Sequence, residues 1–172
     1  HHHGVVANFH TEKDHHGTAF QWFKNGEVLA YLPLPNRKIS IVWSTANPDK
    51  LTSLSPEDLA AAVTAEGEAT LVKLSPLSPA FAFNLILRRP HSTVAQRILL
   101  MGDAAHTIHP LAGQGVNLGF GDVIEFVKIS AKAQDLGAYQ LLKQYQQNRL
   151  EPVRAMQLSC DGLFKLFGDE HT

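Results

Sequence analysis

The sequence has little cysteine, little net charge and no long apolar run, and each shortage excludes a class of protein. Cys160 is the only cysteine in 172 residues, which excludes an internal disulfide and is typical of a reducing compartment. The formal net charge of −1 gives no electrostatic reason to expect nucleic acid as a partner. No run reaches the roughly 18 apolar residues that a membrane span requires. A cytoplasmic protein is therefore expected.

The chain also lacks the side-chain sets of common catalytic sites. No Ser-His-Asp set or carboxylate pair stands out, so no catalytic side chain is predicted. His106 and His109 lie three residues apart, but no third ligand has suitable spacing, so no metal site is predicted. Cys160 falls in an apolar helical pattern, which favours a buried packing residue over a nucleophile.

Alternating apolar and polar residues predict an antiparallel sheet in the first half of the chain. Asn25-Gly26 between two such runs is a strong hairpin signal, and Pro35-Asn36 marks a second turn. Ser55 before Pro56 predicts a helix that ends at Gly67. Alternation places Trp22, Phe23, Tyr31 and Trp43 either in the core or along an aromatic pocket, with packing favoured for most. The expected strands cover residues 18–24, 27–33 and 38–45, with one or two more over 70–76 and 80–88.

The segment Arg97–Asp122 carries the strongest functional signal. Residues 97–101 have the length of a buried strand, and Gly102-Asp103 ends that strand with a turn and a carboxylate. Gly113-Gln114-Gly115 then begins a predicted helix over about 114–133. Because glycines permit close backbone approach and a helix N-terminus attracts anionic or electron-rich groups, this order predicts a nucleotide-binding arrangement. Gly119 and Gly121 would weaken that helix or permit close packing against a group outside this chain.

The same segment resembles the flavin-ribityl motif of the class A flavoprotein aromatic hydroxylases. Ten positions fall in register over 21 residues: Gly102, Asp103, Ala104, Ala105, His106, Pro110, Gly113, Gly115, Asn117 and Asp122. The strand-like segments after Ala19 and the C-terminal segments 145–149 and 161–167 are similar to the ubiquinone-biosynthesis hydroxylases of that family. The resemblance assigns nine residues to the cofactor: Gly102, Asp103, Pro110, Ala112, Gly113, Gln114, Gly115, Val116 and Asn117.

Two motifs of that family are absent from this sequence. There is no G-x-G-x-x-G turn for the ADP half of FAD, and no central Asp-Gly motif in the expected context. The expectation is an α+β fragment, with an antiparallel substrate-domain sheet and the last strand and helices of an FAD-binding domain. A second C-terminal helix is expected over 138–167, broken or kinked at Pro152. The predicted divisions are a tag remnant at 1–3, the sheet at 15–90, the FAD-domain part at 95–135 and C-terminal helices at 136–172.

The resemblance implies an FAD-dependent monooxygenase that uses NADPH or NADH and dioxygen. Its implied substrate is a polyprenyl phenol of ubiquinone biosynthesis, hydroxylated on the aromatic ring. The same resemblance suggests peripheral association with the inner membrane or with a ubiquinone-synthesis complex. Nucleic acid is not expected as a partner. The fragment alone is expected to be inactive, to hold FAD weakly or not at all, and to self-associate.

Two other functions stay open on the sequence. One is a flavin hydroxylase that acts on a soluble aromatic compound. The other is a folded, non-catalytic remnant that serves as a binding or structural module. A G-x-G-x-x-G motif and an Asp-Gly motif in the upstream gene sequence would identify the parent as an enzyme.

Overall fold

A computed structural model of the chain describes residues 2–86, 90–107 and 115–168, without the side chains of Asp161 and of 163–168. The chain forms two compact units. The first unit comprises the chain up to Leu85 together with the residues from Phe167 onward, and the second unit is Ile86–Leu166. Among the described residues, no helix is both long enough and apolar enough to cross a lipid bilayer.

The first unit is built on an antiparallel sheet of six strands. The strands are β1 (His2–Thr11), β2 (Phe20–Lys24), β3 (Glu27–Leu34), β4 (Lys38–Thr45), β5 (Leu74–Pro76) and β6 (Phe81–Leu85). Their order is β2-β3-β4-β1, and β5 and β6 both pair with the remaining edge of β1. The register places Val5 opposite Trp43 and Phe20 opposite Tyr31.

Strand β1 lies inside the sheet and is not among the strands expected from the sequence. Alternate residues Val5, Ala7 and Phe9 are buried, as a half-covered strand requires. Residues 1–3 are three histidines that resemble the end of a purification tag, so no strand was expected at the start of the chain. His3 pairs with Thr45, so the strand continues to that end of the chain. The proposed tag origin of residues 1–3 stays a prediction.

The hairpin turn at Asn25-Gly26 and the helix cap at Ser55 formed as predicted. Asn25 and Gly26 both adopt positive φ between β2 and β3, the geometry that favours Asn-Gly in two-residue hairpins. Helix α1 (Asp49–Thr52) precedes α2 (Pro56–Glu66). The Ser55 hydroxyl accepts a hydrogen bond from the Asp58 N–H at 3.1 Å, which satisfies one free donor of the first turn of α2.

Helix α2 contributes Leu59, Ala60 and Val63 to the same core as the buried face of the sheet. Tyr31 joins this core from β3, and its hydroxyl donates to the Val63 carbonyl at 2.6 Å. Trp43 is buried in the core as well, so packing accounts for these two aromatic residues of the predicted set. Trp22 packs edge-on against Tyr31, with the ring centroids 4.6 Å apart.

Gly67, directly after α2, leaves the space that the Tyr31 ring occupies. A Cβ at this position would overlap the Tyr31 hydroxyl, although the backbone φ of −79° suits any residue. We expect Gly67→Ala to lower the free energy of unfolding by about 1–3 kcal/mol, because the buried ring has to shift. Urea unfolding measures the change. Gly162→Ala is the control, since nothing lies within 4 Å of a Cβ at that helical glycine. Equal stability of the two variants would show that the core around Tyr31 adapts freely.

The second unit begins with a hairpin of β7 (Val94–Ala95) and β8 (Ile98–Leu99). This differs from the buried strand over 97–101 that the sequence predicts, because β8 is two residues long and Ile98 is 56% exposed. Every pairing in the described part of the chain is antiparallel, so a parallel partner for β8 would have to come from elsewhere. Arg97 turns the hairpin with positive φ, and its guanidinium holds Asp135 through two hydrogen bonds of 2.9 and 3.0 Å.

Two long helices complete the second unit. A short 3₁₀ turn (Gly102–Ala104) leads toward α3 (Gly115–Ser130), and α4 covers Tyr139–Gly168. Pro152 lies inside α4, and the helix continues across it instead of ending there. Cys160 is buried beside Leu118, as predicted for a packing residue. The arrangement confirms an α+β class with an antiparallel sheet, while the predicted domain limits stay a prediction.

Candidate functional site

The turn that follows β8 is the centre of the predicted site. Gly102 adopts a φ of +55°, a left-handed conformation that side-chain-bearing residues rarely take. Its carbonyl accepts from the N–H groups of Ala105 and His106, both at 2.9 Å. The chain therefore reverses tightly at Gly102 and presents Asp103 on the outside of the turn.

The Asp103 side chain is exposed and lies beside the start of α3. A Cβ built on Gly115, the first residue of that helix, would be 3.9 Å from Asp103 Oδ1. Val116 and Asn117, the next two residues of α3, are also exposed. The structure thus brings together a carboxylate and a helix N-terminus, the end at which backbone N–H groups point out of the helix.

The nine residues assigned to the cofactor divide into two groups. Gly102, Asp103, Gly115, Val116 and Asn117 have described positions on this turn and at the start of α3. The other four, Pro110, Ala112, Gly113 and Gln114, lie outside the described residues. The role of each in binding a cofactor stays a prediction.

Asp122, further along α3, is the hub of a buried polar network. It is fully buried, and its Oδ2 accepts from the Gly102 N–H and from His106 Nε2, each at 2.7 Å. Its Oδ1 accepts from Arg149 Nε at 2.7 Å. The carboxylate therefore connects the Gly102 turn, helix α3 and helix α4.

Arg149 completes this network from α4. Besides Asp122, it donates from a terminal nitrogen to the Leu118 carbonyl of α3 at 3.0 Å. Gly121 makes the approach possible, because a Cβ there would lie 2.9 Å from the guanidinium. Gly119 similarly faces the Gly102 backbone, since a Cβ on Gly119 would lie 3.6 Å from the Gly102 Cα. The close packing that the sequence allowed for at these glycines is therefore present, but the partners, the Gly102 backbone and the Arg149 guanidinium, belong to this chain.

The charges of this network are set by burial and by its hydrogen bonds. Burial alone would raise the pKa of Asp122, but hydrogen bonds from Gly102, Arg149 and His106 outweigh it and lower that pKa. Asp122 thus contributes stability that is fully present above its unfolded pKa and is lost as the pH falls through its lower folded pKa. Burial, followed by the negative charge of Asp122, raises the pKa of the neighbouring Tyr145.

His106 has one partner and one unpartnered nitrogen among the described residues. The ring is buried, and Nε2 bonds to Asp122, while Nδ1 is buried without a hydrogen-bond partner. A buried polar atom of this kind costs free energy unless another group satisfies it. The absence of a metal site at His106 and His109 stays a prediction, and His109 lies outside the described residues.

Sequence reasoning missed the importance of Asp122, His106 and Arg149. Asp122 and His106 are recognisable in the sequence only as motif positions, and Arg149 only as part of a C-terminal helix. The glycine at position 121 was the available signal, because a helical glycine beside a motif acid indicates close approach of another element. Which element approaches could not be read from the pattern.

Comparisons with known proteins agree on one family. A family model described as an FAD binding domain matches residues 4–158. The ubiquinone hydroxylase UbiL of Rhodospirillum rubrum is 32% identical over 172 residues, and the match covers 96% of this chain and 40% of that protein. The 3-demethoxyubiquinol 3-hydroxylase of Escherichia coli is 35% identical, and the match covers 96% of this chain and 44% of that protein. The chain thus spans less than half the length of these relatives.

Solved structures share the fold at lower identity. PqsL of Pseudomonas aeruginosa, in complex with 2-aminobenzoylacetate, has a TM-score of 0.76 at 19% identity, with 98% of this chain and 48% of that chain covered. HpxO of Klebsiella pneumoniae, complexed with FAD and uric acid, has a TM-score of 0.71 at 18% identity, covering 98% of this chain and 45% of that chain.

Proposed function

The chain belongs to the FAD-binding domain family, and from this premise we propose that it is part of an FAD-dependent monooxygenase. The proposed reaction is hydroxylation of the aromatic ring of a polyprenyl phenol in ubiquinone biosynthesis. The relatives' names support this choice of substrate, since one is a ubiquinone hydroxylase and the other a 3-demethoxyubiquinol 3-hydroxylase. NADH or NADPH would serve as the electron donor, and dioxygen would supply the added oxygen.

The geometry around Asp103 is the observation that carries the proposal. Its exposed carboxylate stands beside Gly115, where α3 begins, and Gly102 behind it has open space in place of a side chain. A carboxylate can accept hydrogen bonds from the hydroxyl groups of a ribityl chain. The helix start can stabilise an electron-rich ring edge. The residues present therefore fit the flavin half of FAD.

Each residue has a specific task in this proposal. Asp103 would accept from a ribityl hydroxyl, and the N–H groups at the start of α3 would face the pyrimidine edge of the flavin. Pro110, Ala112, Gly113 and Gln114 would contact the cofactor as well. Bound FAD would supply the electron transfer and oxygen activation that no side chain here provides. The protein contributes position, electrostatics and exclusion of water.

A replacement of Asp103 separates this role from a structural one. In the full-length protein we expect Asp103→Ala to weaken FAD binding about tenfold or more, because a charged hydrogen bond to the ligand is lost. The melting temperature should change by about 2 °C or less, since the side chain is exposed. Flavin content and thermal unfolding of the apoprotein are measured on one preparation.

Glu151→Ala is the matched control for that experiment. Glu151 is an exposed acid of the same unit, on α4, and no hydrogen bond or ion pair among the described residues joins it to the turn. It should retain FAD like the wild type. Full flavin occupancy of Asp103→Ala with unchanged turnover would refute the assignment of Asp103.

The substrate class needs a separate assay. The full-length protein is supplied with NADH or NADPH, dioxygen and either a prenylated phenol or the same phenol without its tail. Hydroxylation of the prenylated compound with a clear preference over the short one supports the proposal. The reverse preference would favour a hydroxylase of a soluble aromatic. A full-length protein that neither holds FAD nor oxidises NAD(P)H would favour a non-catalytic binding module.

Location and association follow from the proposed substrate. A polyprenyl tail is confined to lipid, so the enzyme would work peripherally at the inner membrane or within a complex that delivers the substrate. Sedimentation of the full-length protein with lipid vesicles that contain the prenylated phenol, compared with vesicles that lack it, tests this placement.

A further inference from the structure

We propose that Asp122 is a positioning residue that holds the Gly102 turn in the conformation that presents Asp103 to the flavin. This inference rests on the proposed function of Asp103. It assigns to Asp122 a task that the motif alone does not define, since its carboxylate is fully buried and bonded to groups of its own chain.

Asp122 anchors the turn at two points. One oxygen accepts from both ends of the segment Gly102–His106, from the Gly102 N–H and from His106 Nε2. Both bonds are 2.7 Å, the short range typical of charge-assisted hydrogen bonds. Asp103 lies between these two anchored residues. Its backbone direction is therefore fixed by a carboxylate that it does not touch.

Other residues of α3 and α4 support Asp122 in this position. Arg149 neutralises the buried charge through Oδ1 and also holds the Leu118 carbonyl. Gly119 and Gly121 bring the turn and the guanidinium close to α3, where a Cβ would meet the Gly102 backbone or the guanidinium. The Asp122 carboxylate is thus held by the Gly102 turn, by α3 and by α4, which limits its freedom to move.

The same network also fixes the position of α3. Asp122 lies on the helix whose first residue, Gly115, stands next to the Asp103 carboxylate. Both halves of the proposed flavin contact, the acid and the helix start, are therefore fixed relative to one another through Asp122. A loss of this anchor should change the geometry between them without removing either group.

The test is a double-mutant cycle on FAD affinity in the full-length protein. Asp122→Asn keeps the size of the side chain but removes its charge and one acceptor. We expect it to weaken FAD binding by about tenfold, within the range that coupled contacts show. In the Asp103→Ala background the same change should cost clearly less than it does in the wild type, since one of the two groups that Asp122 positions is gone. The visible circular dichroism of the bound flavin should change in Asp122→Asn, which reports an altered flavin environment.

Control variants separate positioning from general loss of stability. Glu125 is an acid on the same helix that accepts from Asn148 of α4 at 2.6 Å, and it has no hydrogen bond to the turn among the described residues. Glu125→Gln should leave FAD affinity unchanged. Arg149→Lys supplies a milder disturbance if Asp122→Asn does not fold, because it keeps the charge but not both hydrogen bonds. The loss of FAD affinity caused by Arg149→Lys should likewise be smaller in the Asp103→Ala background than in the wild type.

The outcomes distinguish this inference from the proposed function. If Asp103→Ala leaves FAD affinity unchanged, the role proposed for Asp103 fails. If Asp103→Ala weakens binding but Asp122→Asn does not, only the positioning role fails. Fully additive losses in the double variant would also overturn it, because they would mean that Asp122 acts on FAD independently of Asp103.

Discussion

The 172-residue chain, purified without any further segment, is expected to be colourless. Its described site residues, Asp103 and the start of α3, are proposed to contact only the ribityl and ring side of FAD. The ADP half of FAD usually depends on a G-x-G-x-x-G turn and a pyrophosphate at a helix N-terminus, and the sequence contains no such turn. Without those contacts, the remaining interactions should not retain the cofactor through purification.

Absorbance spectroscopy of the purified chain measures this directly. The bands of flavin between the near ultraviolet and the blue should be absent. Addition of FAD followed by desalting should leave no stoichiometric chromophore, whereas the full-length protein, treated in the same way, should remain yellow. A stoichiometric flavin spectrum from the chain alone would mean that the ADP half is dispensable for binding.

The elements that the sequence predicted well are those specified by neighbouring residues. Ser55, Pro56 and Gly67 mark the two ends of α2 by local capping chemistry, and the structure places the helix between them. Asn25-Gly26 specifies its hairpin because both residues accept positive φ. In each case the decisive interaction spans a few residues, so a pattern in the sequence is sufficient.

The misjudged elements depend on partners distant in the chain. Strand β1 is paired on both edges, with β4 on one side and with β5 and β6 on the other, and no local signal reveals such pairing. The apolar run over 97–101 resembles a buried strand, but only two of its residues form β8. Without a parallel neighbour in the described part of the chain, that run closes on β7 as a short antiparallel hairpin.

The same distinction applies to the candidate site. The motif located Asp103 and the helix start, because both lie within one continuous segment. It could not show that Asp122 reaches back 20 residues to Gly102 while Arg149 approaches from 27 residues ahead. A sequence shows which residues are present in a motif, but only the three-dimensional contacts show which of these residues hold one another in place.

Self-association of the isolated chain is the second result with a large expected effect. The outward face of α3 carries an apolar stripe whose side chains are between 51% and 69% exposed: Val116, Phe120, Val123, Ile124 and Val127. Contiguous apolar surface of this kind is uncommon on stable monomers and favours burial against another chain. Among the described residues the short β7–β8 hairpin pairs with no further strand, and edges of this kind favour pairing with another chain. The crowded apolar residues near the end of α4, Leu163 to Phe167, lie outside the described side chains.

Light scattering coupled to size-exclusion chromatography at micromolar concentration should give a dimer or a larger species. A second copy is the simplest cover for the stripe when no other chain is present. Ile124→Glu places a charge in the centre of the stripe and should shift the protein toward monomer, because burying an unpaired carboxylate is costly. Leu77→Glu is the matched control, an exposed apolar residue of the sheet unit whose replacement should leave the assembly unchanged. A wild-type monomer that binds no hydrophobic dye would show that the stripe does not drive association.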